Sequence, residues 1–166
     1  MMTMTARARS MLARGFTFIE LVITVAIVAV LASITIPMHE MVARRAKEQE
    51  LKRVLREIRE AIDAYKQASD EGRIRKAAGA SGYPKQLEEL VEGIDDQRSV
   101  RKDKIYFLRK LHADPLSTDL QANAADTWLK RAYASPPDEP AEGDDVFDIH
   151  SRAPGKGSNG RPYRDW

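Results

Sequence analysis

The chain has 166 residues, of which 43% are hydrophobic and 31% are charged, with 27 Lys and Arg against 25 Asp and Glu. This balance fits one average domain and lacks the strong positive charge typical of nucleic-acid binders, so we expect no nucleic acid as a partner. The sequence contains no Cys, which excludes a disulfide framework, a thiolate metal site and a Cys nucleophile.

The near-neutral total hides three stretches of different character. Residues 1–15 contain three arginines and no acid, and residues 16–36 are mostly apolar with Glu20 as their single charge. Residues 37–166 carry equal numbers of basic and acidic side chains. The pattern therefore predicts a basic leader, an apolar segment and a polar remainder.

The apolar segment is long enough for one membrane-spanning helix. Leu21 to Ile36 has no charge, and with residues 16–20 it reaches the ~20 residues that cross ~30 Å of hydrocarbon. A cleaved signal peptide is one alternative, because the alanines at 26, 29 and 32 have A-x-x-A spacing, but the run continues into Pro37 without a small-x-small cleavage site. A helix of a soluble core is the other alternative.

The basic residues give a nearly equal count on the two sides of this segment. Arg44, Arg45 and Lys47 follow it, and three arginines precede it. We place the leader in the cytoplasm, because the opposite orientation would move a short Arg-rich peptide across the membrane and leave the larger domain behind.

Glu20 is the unusual residue of the apolar segment. An unpaired carboxylate costs several kcal/mol in a membrane, which favours a functional role with a cationic partner. The alternative is a glutamate that reaches the membrane surface and needs no partner.

A single long helix is predicted after the leader. No glycine occurs between Gly15 and Gly72, and Pro37 is the only proline in that range, so a helix of roughly 50 residues with a kink at Pro37 is expected. Its second half carries an apolar stripe, which we expect to pack on the protein's own domain rather than form a free coiled coil. The stripe consists of Leu51, Leu55, Ile58, Ile62 and Tyr65.

The C-terminal part predicts a small α+β domain. A short helix is expected over residues 85–91, and strands are expected over residues 128–134 and 146–151. Residues 153–166, which we call the closing loop, have the composition of a loop. The predicted fold is α+β: a long N-terminal helix, half transmembrane and half amphipathic, packed on a small antiparallel sheet.

The string from Arg14 to Glu20, RGFTFIE, followed by the apolar run to Pro37, resembles the N-terminus of type IV pilins and type II secretion pseudopilins. The resemblance implies cleavage by prepilin peptidase between Gly15 and Phe16 and N-methylation of Phe16. Residues 1–15 would then be a cleaved leader and 16–36 an assembly helix. In the family's assembly model, Glu20 of one subunit pairs with the Phe16 amine of a neighbour, and this pair favours polymer over free monomer.

The chain beyond residue 83 is most similar to the major, G-type pseudopilin of type II secretion systems. The similarity implies a structural subunit and no enzyme. It implies that the chain is a single-pass inner-membrane protein, in which residues 37–70 are the periplasmic half of the helix and residues 71–166 are a periplasmic domain. Expected partners are further copies of the chain, prepilin peptidase, other pseudopilins, the inner-membrane assembly platform with its ATPase, and membrane lipid. The features that carry the similarity are Tyr83-Pro84, Leu87, Leu90, Leu108, Leu111, Asp114-Pro115, Trp128, residues 147–151, three glycines of the closing loop and Trp166.

Two other functions remain open at this point. One is a type IV pilus subunit, major or minor, for adhesion, motility or DNA uptake. The other is a signal-anchored periplasmic protein that does not polymerise, a reading that would leave Glu20 unexplained.

The closing loop departs from the G-type pattern. Major pseudopilins usually carry several Asp residues there that bind Ca²⁺, whereas residues 151–166 offer only Asp165. We therefore expect no cofactor and no metal, with Asp144, Asp145 and Asp148 as weak calcium candidates. Asp144 and Asp145 are better explained as solvated loop acids, and alternation places Asp148 on the outer face of its strand.

Overall fold

The computed structural model describes residues 16–119 and 121–166, apart from the side chains of residues 34–40. Helix α1 (Phe18–Asp70) has 53 residues, close to the predicted length. It includes Pro37 without an interruption of the helical assignment, and the kink expected there stays a prediction. The chain divides into two compact units between Val42 and Ala43.

The C-terminal end of α1 is fixed by a glycine, as the spacing of glycines predicts. Gly72 adopts a φ of 72°. Its N–H donates to the Ser69 carbonyl oxygen at 3.0 Å, and the Arg73 N–H donates to the Ala68 carbonyl oxygen at 2.9 Å. This pair of bonds is the Schellman arrangement, in which a left-handed residue lets the chain turn back over the last helical turn.

The second unit is built around the predicted apolar stripe of α1, all five residues of which are buried. The stripe packs against the residues that follow the helix, as expected. Full burial of a large apolar side chain contributes ~1.5–3 kcal/mol, so this contact is the main stabilising feature of the unit. The other large core residues are Val54, Ile74, Leu87, Leu90, Leu108, Trp128, Val146, Ile149 and Tyr163.

Two small antiparallel sheets complete the fold. Strand β1 (Ile94–Asp95) pairs with β2 (Lys104–Ile105), and β3 (Trp128–Arg131) pairs with β4 (Asp148–Ser151) in the register Trp128 to Ser151. The β3–β4 pair confirms the strands predicted over 128–134 and 146–151, although both are shorter. The fold is therefore α+β, with a long N-terminal helix and small antiparallel sheets, consistent with a pilin-like fold.

The helix predicted over 85–91 is shorter and begins later. It is the single turn α2 (Glu89–Glu92). Residues 85–88 form turns instead, and Leu87 and Leu90 are fully buried. A seven-residue helix is too short to be stable by itself, so the burial of these leucines decides the local conformation.

Candidate functional site

The start of α1 is capped by a side chain two residues after Gly15, which itself lies outside the described residues. The Thr17 hydroxyl oxygen accepts a hydrogen bond from the Glu20 N–H at 3.3 Å. Glu20 occupies the first helical turn, where its carboxylate lies at the positive end of the helix dipole. The sequence Thr17-Phe18-Ile19-Glu20 matches the capping-box pattern, in which a threonine N-cap is followed three residues later by glutamate. Glu20 therefore has a local helix-starting role in addition to any role in assembly.

The apolar segment is exposed over residues 16–33, the part whose side chains the structure describes. A continuous apolar surface of this length indicates contact with lipid or with other proteins. The large apolar residues that are about half exposed or more are Phe16, Phe18, Ile19, Leu21, Val22, Ile23, Val25, Ile27, Val28, Val30 and Leu31.

Within the part of the chain that the structure describes, none of the helices combines the length and the apolar character that a membrane crossing requires. The membrane crossing expected for residues 16–36 stays a prediction.

A buried carboxylate holds the closing loop on α1. Glu48 is only 3% exposed. Its Oε2 accepts from the Ser158 hydroxyl at 2.6 Å, and its Oε1 accepts from the Ser158 N–H at 3.0 Å and from the Tyr163 hydroxyl at 2.9 Å. Arg44, one turn earlier on α1, lies 3.3 Å from Oε1 and also donates to the Lys156 carbonyl oxygen. Two helical residues thus fix the loop at three points.

The contacts of Glu48 favour its charged form. Burial raises the pKa of its carboxyl, but the hydrogen bonds from Ser158 and Tyr163 and the charge of Arg44 outweigh burial, so the pKa is lowered overall. The pKa of Arg44 is raised, mainly by its hydrogen bond to Tyr163. The cluster is therefore an ionised pair at neutral pH.

A second anchor lies further along α1. The Arg59 Nε donates to Asp148 Oδ1 at 2.7 Å, and its Nη2 donates to the main-chain oxygens of Ile149 at 2.9 Å and Trp166 at 2.7 Å. Arg59 therefore joins α1 to strand β4 and to the closing loop. The Trp166 ring packs edge-on against Tyr163 and lies 4.6 Å from the Lys52 ammonium.

His150 lies beside the Arg59 anchor in a largely buried position. Its Nε2 is 3.6 Å from Asp148 Oδ2, and its side chain is 18% exposed. Burial lowers the pKa of His150, Asp148 opposes this, and the charges of Arg59 and Arg131 add to the lowering. The imidazole is therefore neutral at pH 7 and partly buried in the native state.

The three weak calcium candidates have separate environments. Asp145 accepts hydrogen bonds from the Ser81 hydroxyl and from the Tyr133 N–H, and Asp148 pairs with Arg59. Asp144 is exposed. The description of Asp145 as a solvated acid is therefore wrong, because it binds other parts of the domain. Asp148 lies on the face of its strand opposite to the buried Ile149 and Ser151, as alternation predicts, and is partly exposed. In the described residues, the structure groups no three His, Cys, Asp or Glu side chains in a way that could hold a metal ion.

Glu48 and Arg59 were not singled out by their sequence pattern. Both lie in a charged stretch of α1 in which solvated residues are the usual interpretation. The signal that was available is periodic: Glu48, Leu51, Leu55, Ile58 and Ile62 recur at helical spacing, which places Glu48 on the buried face. Arg59 follows Ile58 directly and carries no comparable signal.

Comparison with known proteins supports the N-terminal resemblance. Residues 10–36 match a family model described as the prokaryotic N-terminal methylation motif. No curated protein and no solved structure matches the chain. The motif indicates a type IV pilin-like precursor, and it supports a place in the type IV pilin-like superfamily. It implies N-methylation, processing by prepilin peptidase and polymerisation, and suggests a membrane-anchored subunit.

Proposed function

We propose that the chain is a structural subunit that polymerises through residues 16–36 into the periplasmic pseudopilus of a type II secretion system. The observation that carries the proposal is the juxtaposition of a methylation motif with an apolar segment, residues 16–36, which is exposed over residues 16–33 and whose one charge, Glu20, lies in the first turn of α1. Such a helix buries its apolar surface either in lipid or among identical helices. The same segment can therefore anchor the subunit in the membrane before assembly and pack against other subunits in the filament.

The proposed processing creates the partner for Glu20. Cleavage between Gly15 and Phe16 leaves an α-amine on Phe16 that is largely protonated near neutral pH. Pairing this amine with Glu20 of an adjacent subunit neutralises two charges that are each costly among apolar helices. The proposed subunit is a single-pass protein of the bacterial inner membrane, with its leader in the cytoplasm and residues 71–166 in the periplasm.

The secretion system is favoured over a pilus on the similarity of the C-terminal segments to G-type pseudopilins. The absence of Cys supports the same choice, because many type IV major pilins close their C-terminal region with a disulfide. The proposed assembly works with prepilin peptidase, other pseudopilins, and an inner-membrane platform with its ATPase. A type IV pilus subunit is the second candidate.

Mass spectrometry of the mature protein, isolated from the producing bacterium, tests the processing. We expect a chain that begins with N-methyl-Phe16. An intact leader, or cleavage near Ser33, would overturn the proposal. Deletion of the gene then separates the two systems: loss of exported proteins from the medium supports secretion, whereas loss of surface filaments with normal export supports a pilus.

A further inference from the structure

The turn between β1 and β2 carries a basic, fully exposed projection. Val100 at its apex is 101% exposed, and the flanking cations Arg98, Arg101 and Lys102 are exposed as well. We refer to these four residues as the basic tip. Among the described residues, Arg101 and Lys102 form no ion pair, so the tip presents unneutralised charge to solvent.

The basic tip is held in one conformation by its own turn. The Ser99 hydroxyl donates to Asp103 Oδ2 at 2.8 Å and accepts from the Arg101 N–H at 3.2 Å. Lys102 has a φ of 55°, an uncommon left-handed conformation for a lysine. A tip ordered in this way loses little conformational entropy when it binds a partner.

The tip is also fastened to the end of α1. Arg73 pairs with Asp96 through an Nη2 to Oδ2 contact of 2.6 Å, and the Gln97 N–H donates to the Arg73 carbonyl oxygen at 2.8 Å. The Arg98 guanidinium donates to the Glu71 carbonyl oxygen. The orientation of the tip is therefore set by the core helix of the domain.

A second projection of the same domain has the opposite charge. Residues 138–145 contain five acids and no Lys or Arg, and we refer to them as the acidic loop. The loop is held by Ser135, whose hydroxyl accepts from the Ala141 N–H at 2.8 Å and donates to the Glu139 carbonyl oxygen at 3.0 Å. Asp138 and Glu139 are exposed and form no ion pair within the described residues.

The apolar surfaces of the two projections also match. Val100 lies among the charges of the basic tip. An exposed proline at 140 lies within the acidic loop, and exposed prolines at 136 and 137 directly precede it. Proline-rich loops are already restricted before binding, so they add little entropic cost to a contact. Each projection thus combines an apolar residue with an excess of charge of one sign.

We propose that the basic tip of one subunit docks on the acidic loop of the next subunit in the polymer. This inference rests on the proposed function, because it requires copies of the chain held side by side. Each copy would use both projections once, which makes the contact heterologous and able to propagate along a filament. Charges more than ~8 Å apart are screened at physiological salt, so the contact forms after the apolar helices bring two subunits together and then selects their register.

Cysteine cross-linking tests the contact directly, because the chain has no native Cys. Val100→Cys and Asp138→Cys are placed in two differently tagged full-length chains that are expressed together in the producing bacterium. We expect a disulfide-linked species that carries both tags. Thr118→Cys, an exposed position outside the acidic loop, replaces Asp138→Cys in the control and gives no such species.

Charge reversal tests whether complementarity drives the contact. Arg101→Glu with Lys102→Asp is expected to lower the yield of the two-tag species at least about tenfold. Adding Asp138→Lys and Glu139→Lys to the partner chain, which now carries Glu142→Cys in place of Asp138→Cys, restores opposite charges, so cross-linking to the Val100→Cys chain with the reversed tip should recover. The matched control, Arg109→Glu with Lys110→Glu, changes the same charge outside the tip and leaves the yield unchanged.

The outcomes separate this inference from the proposed function. Absence of the two-tag species, or failure of the second reversal to restore it, overturns the docking of tip on loop. Sheared filaments containing N-methyl-Phe16 would show that the proposed function stands in that case. An unprocessed N-terminus without filaments would overturn the proposed function instead, and with it the contact.

Discussion

The buried carboxylate of Glu48 accepts a hydrogen bond from the Tyr163 hydroxyl at 2.9 Å, joining two residues that are 115 positions apart in the chain. This bond joins α1 to the closing loop, in which the sequence lacks the several Asp residues that a calcium site would need. Because Ser158 also donates to Glu48 through both its N–H and its hydroxyl, one side chain organises a loop that otherwise has little regular structure.

Replacement of Glu48 by Gln is expected to destabilise the closing loop. A neutral amide accepts weaker hydrogen bonds than a carboxylate, and its NH₂ group would face donors from Ser158 and Tyr163. We expect a loss of ~1–3 kcal/mol in the free energy of unfolding. Urea denaturation of the full-length protein in detergent, monitored by circular dichroism, measures this loss.

Glu57→Gln is the matched control for this measurement. Glu57 also lies on α1 and pairs with Arg53 at 2.8 Å, but its side chain is 36% exposed and Arg53 is 53% exposed. Exposed pairs of this kind contribute little, so the free energy of unfolding should stay unchanged within error. An equal loss in the two variants would show that the Glu48 cluster has no special role in stability.

Acid is expected to release the closing loop. The pKa of Glu48 is lowered in the folded state, so the folded protein binds fewer protons than the unfolded chain at pH values near the ordinary glutamate pKa of ~4.3. The stabilisation is complete above that value and is lost as pH falls through the folded pKa. The protection factor of the Ser158 amide should therefore fall as pH decreases below the ordinary glutamate pKa, and Glu48→Gln should abolish this pH dependence.

We expect His150 to cause a separate loss of stability, at a higher pH than the loss caused by Glu48. Its pKa is lowered mainly by burial, so the folded state resists protonation while the unfolded chain accepts it below ~6.5. Stability is complete above that value and decreases as pH falls below it. The variant His150→Asn should lose this step and keep the one assigned to Glu48. A variant that retained both steps would show that another group titrates in this range.

Gly157 is expected to tolerate no side chain. A Cβ at this position would lie 2.0 Å from Cζ2 of Trp166, so the indole ring must move. We expect Gly157→Ala to lower the free energy of unfolding by ~1–3 kcal/mol, the usual cost of overpacking. Gly160→Asn is the control, because Gly160 has open space around it and its φ of 78° is tolerated by Asn. Equal melting temperatures for the two variants would contradict the tight contact.

Sequence reasoning predicted the parts of the fold that depend on periodicity and on backbone constraints. The 4-3-4-3 spacing from Leu51 to Tyr65 and the glycine at 72 were sufficient to define α1 and its buried face. Strands β3 and β4 were found from alternation. The β1–β2 hairpin was missed, because two strands of two residues each are too short for alternation to be visible.

The polar anchors were less predictable, since their partners are far apart in sequence. Alternation correctly placed Asp148 on the outer face of its strand, but it gave no sign that Arg59, 89 residues earlier, pairs with it. Alternation gives the side of a strand that a residue occupies and does not reveal what covers that side. The methylation motif could be recognised because its residues are contiguous.

Three substitutions separate the two roles of the residues that begin α1. Glu20→Gln removes the charge and retains a side chain that suits a capping box, Thr17→Ala removes the cap and retains the charge, and Glu20→Ala removes both features of Glu20. If Glu20 pairs with the Phe16 amine of a neighbour, the two Glu20 variants should both fail to enter filaments. Thr17→Ala, which loses only ~1 kcal/mol of helix capping, should assemble.

Immunoblots of sheared filaments measure incorporation, and mass spectrometry of the N-terminus confirms that each variant is processed. Normal assembly of Glu20→Gln with failure of Thr17→Ala would assign Glu20 to helix initiation alone and remove the ion pair from the proposal.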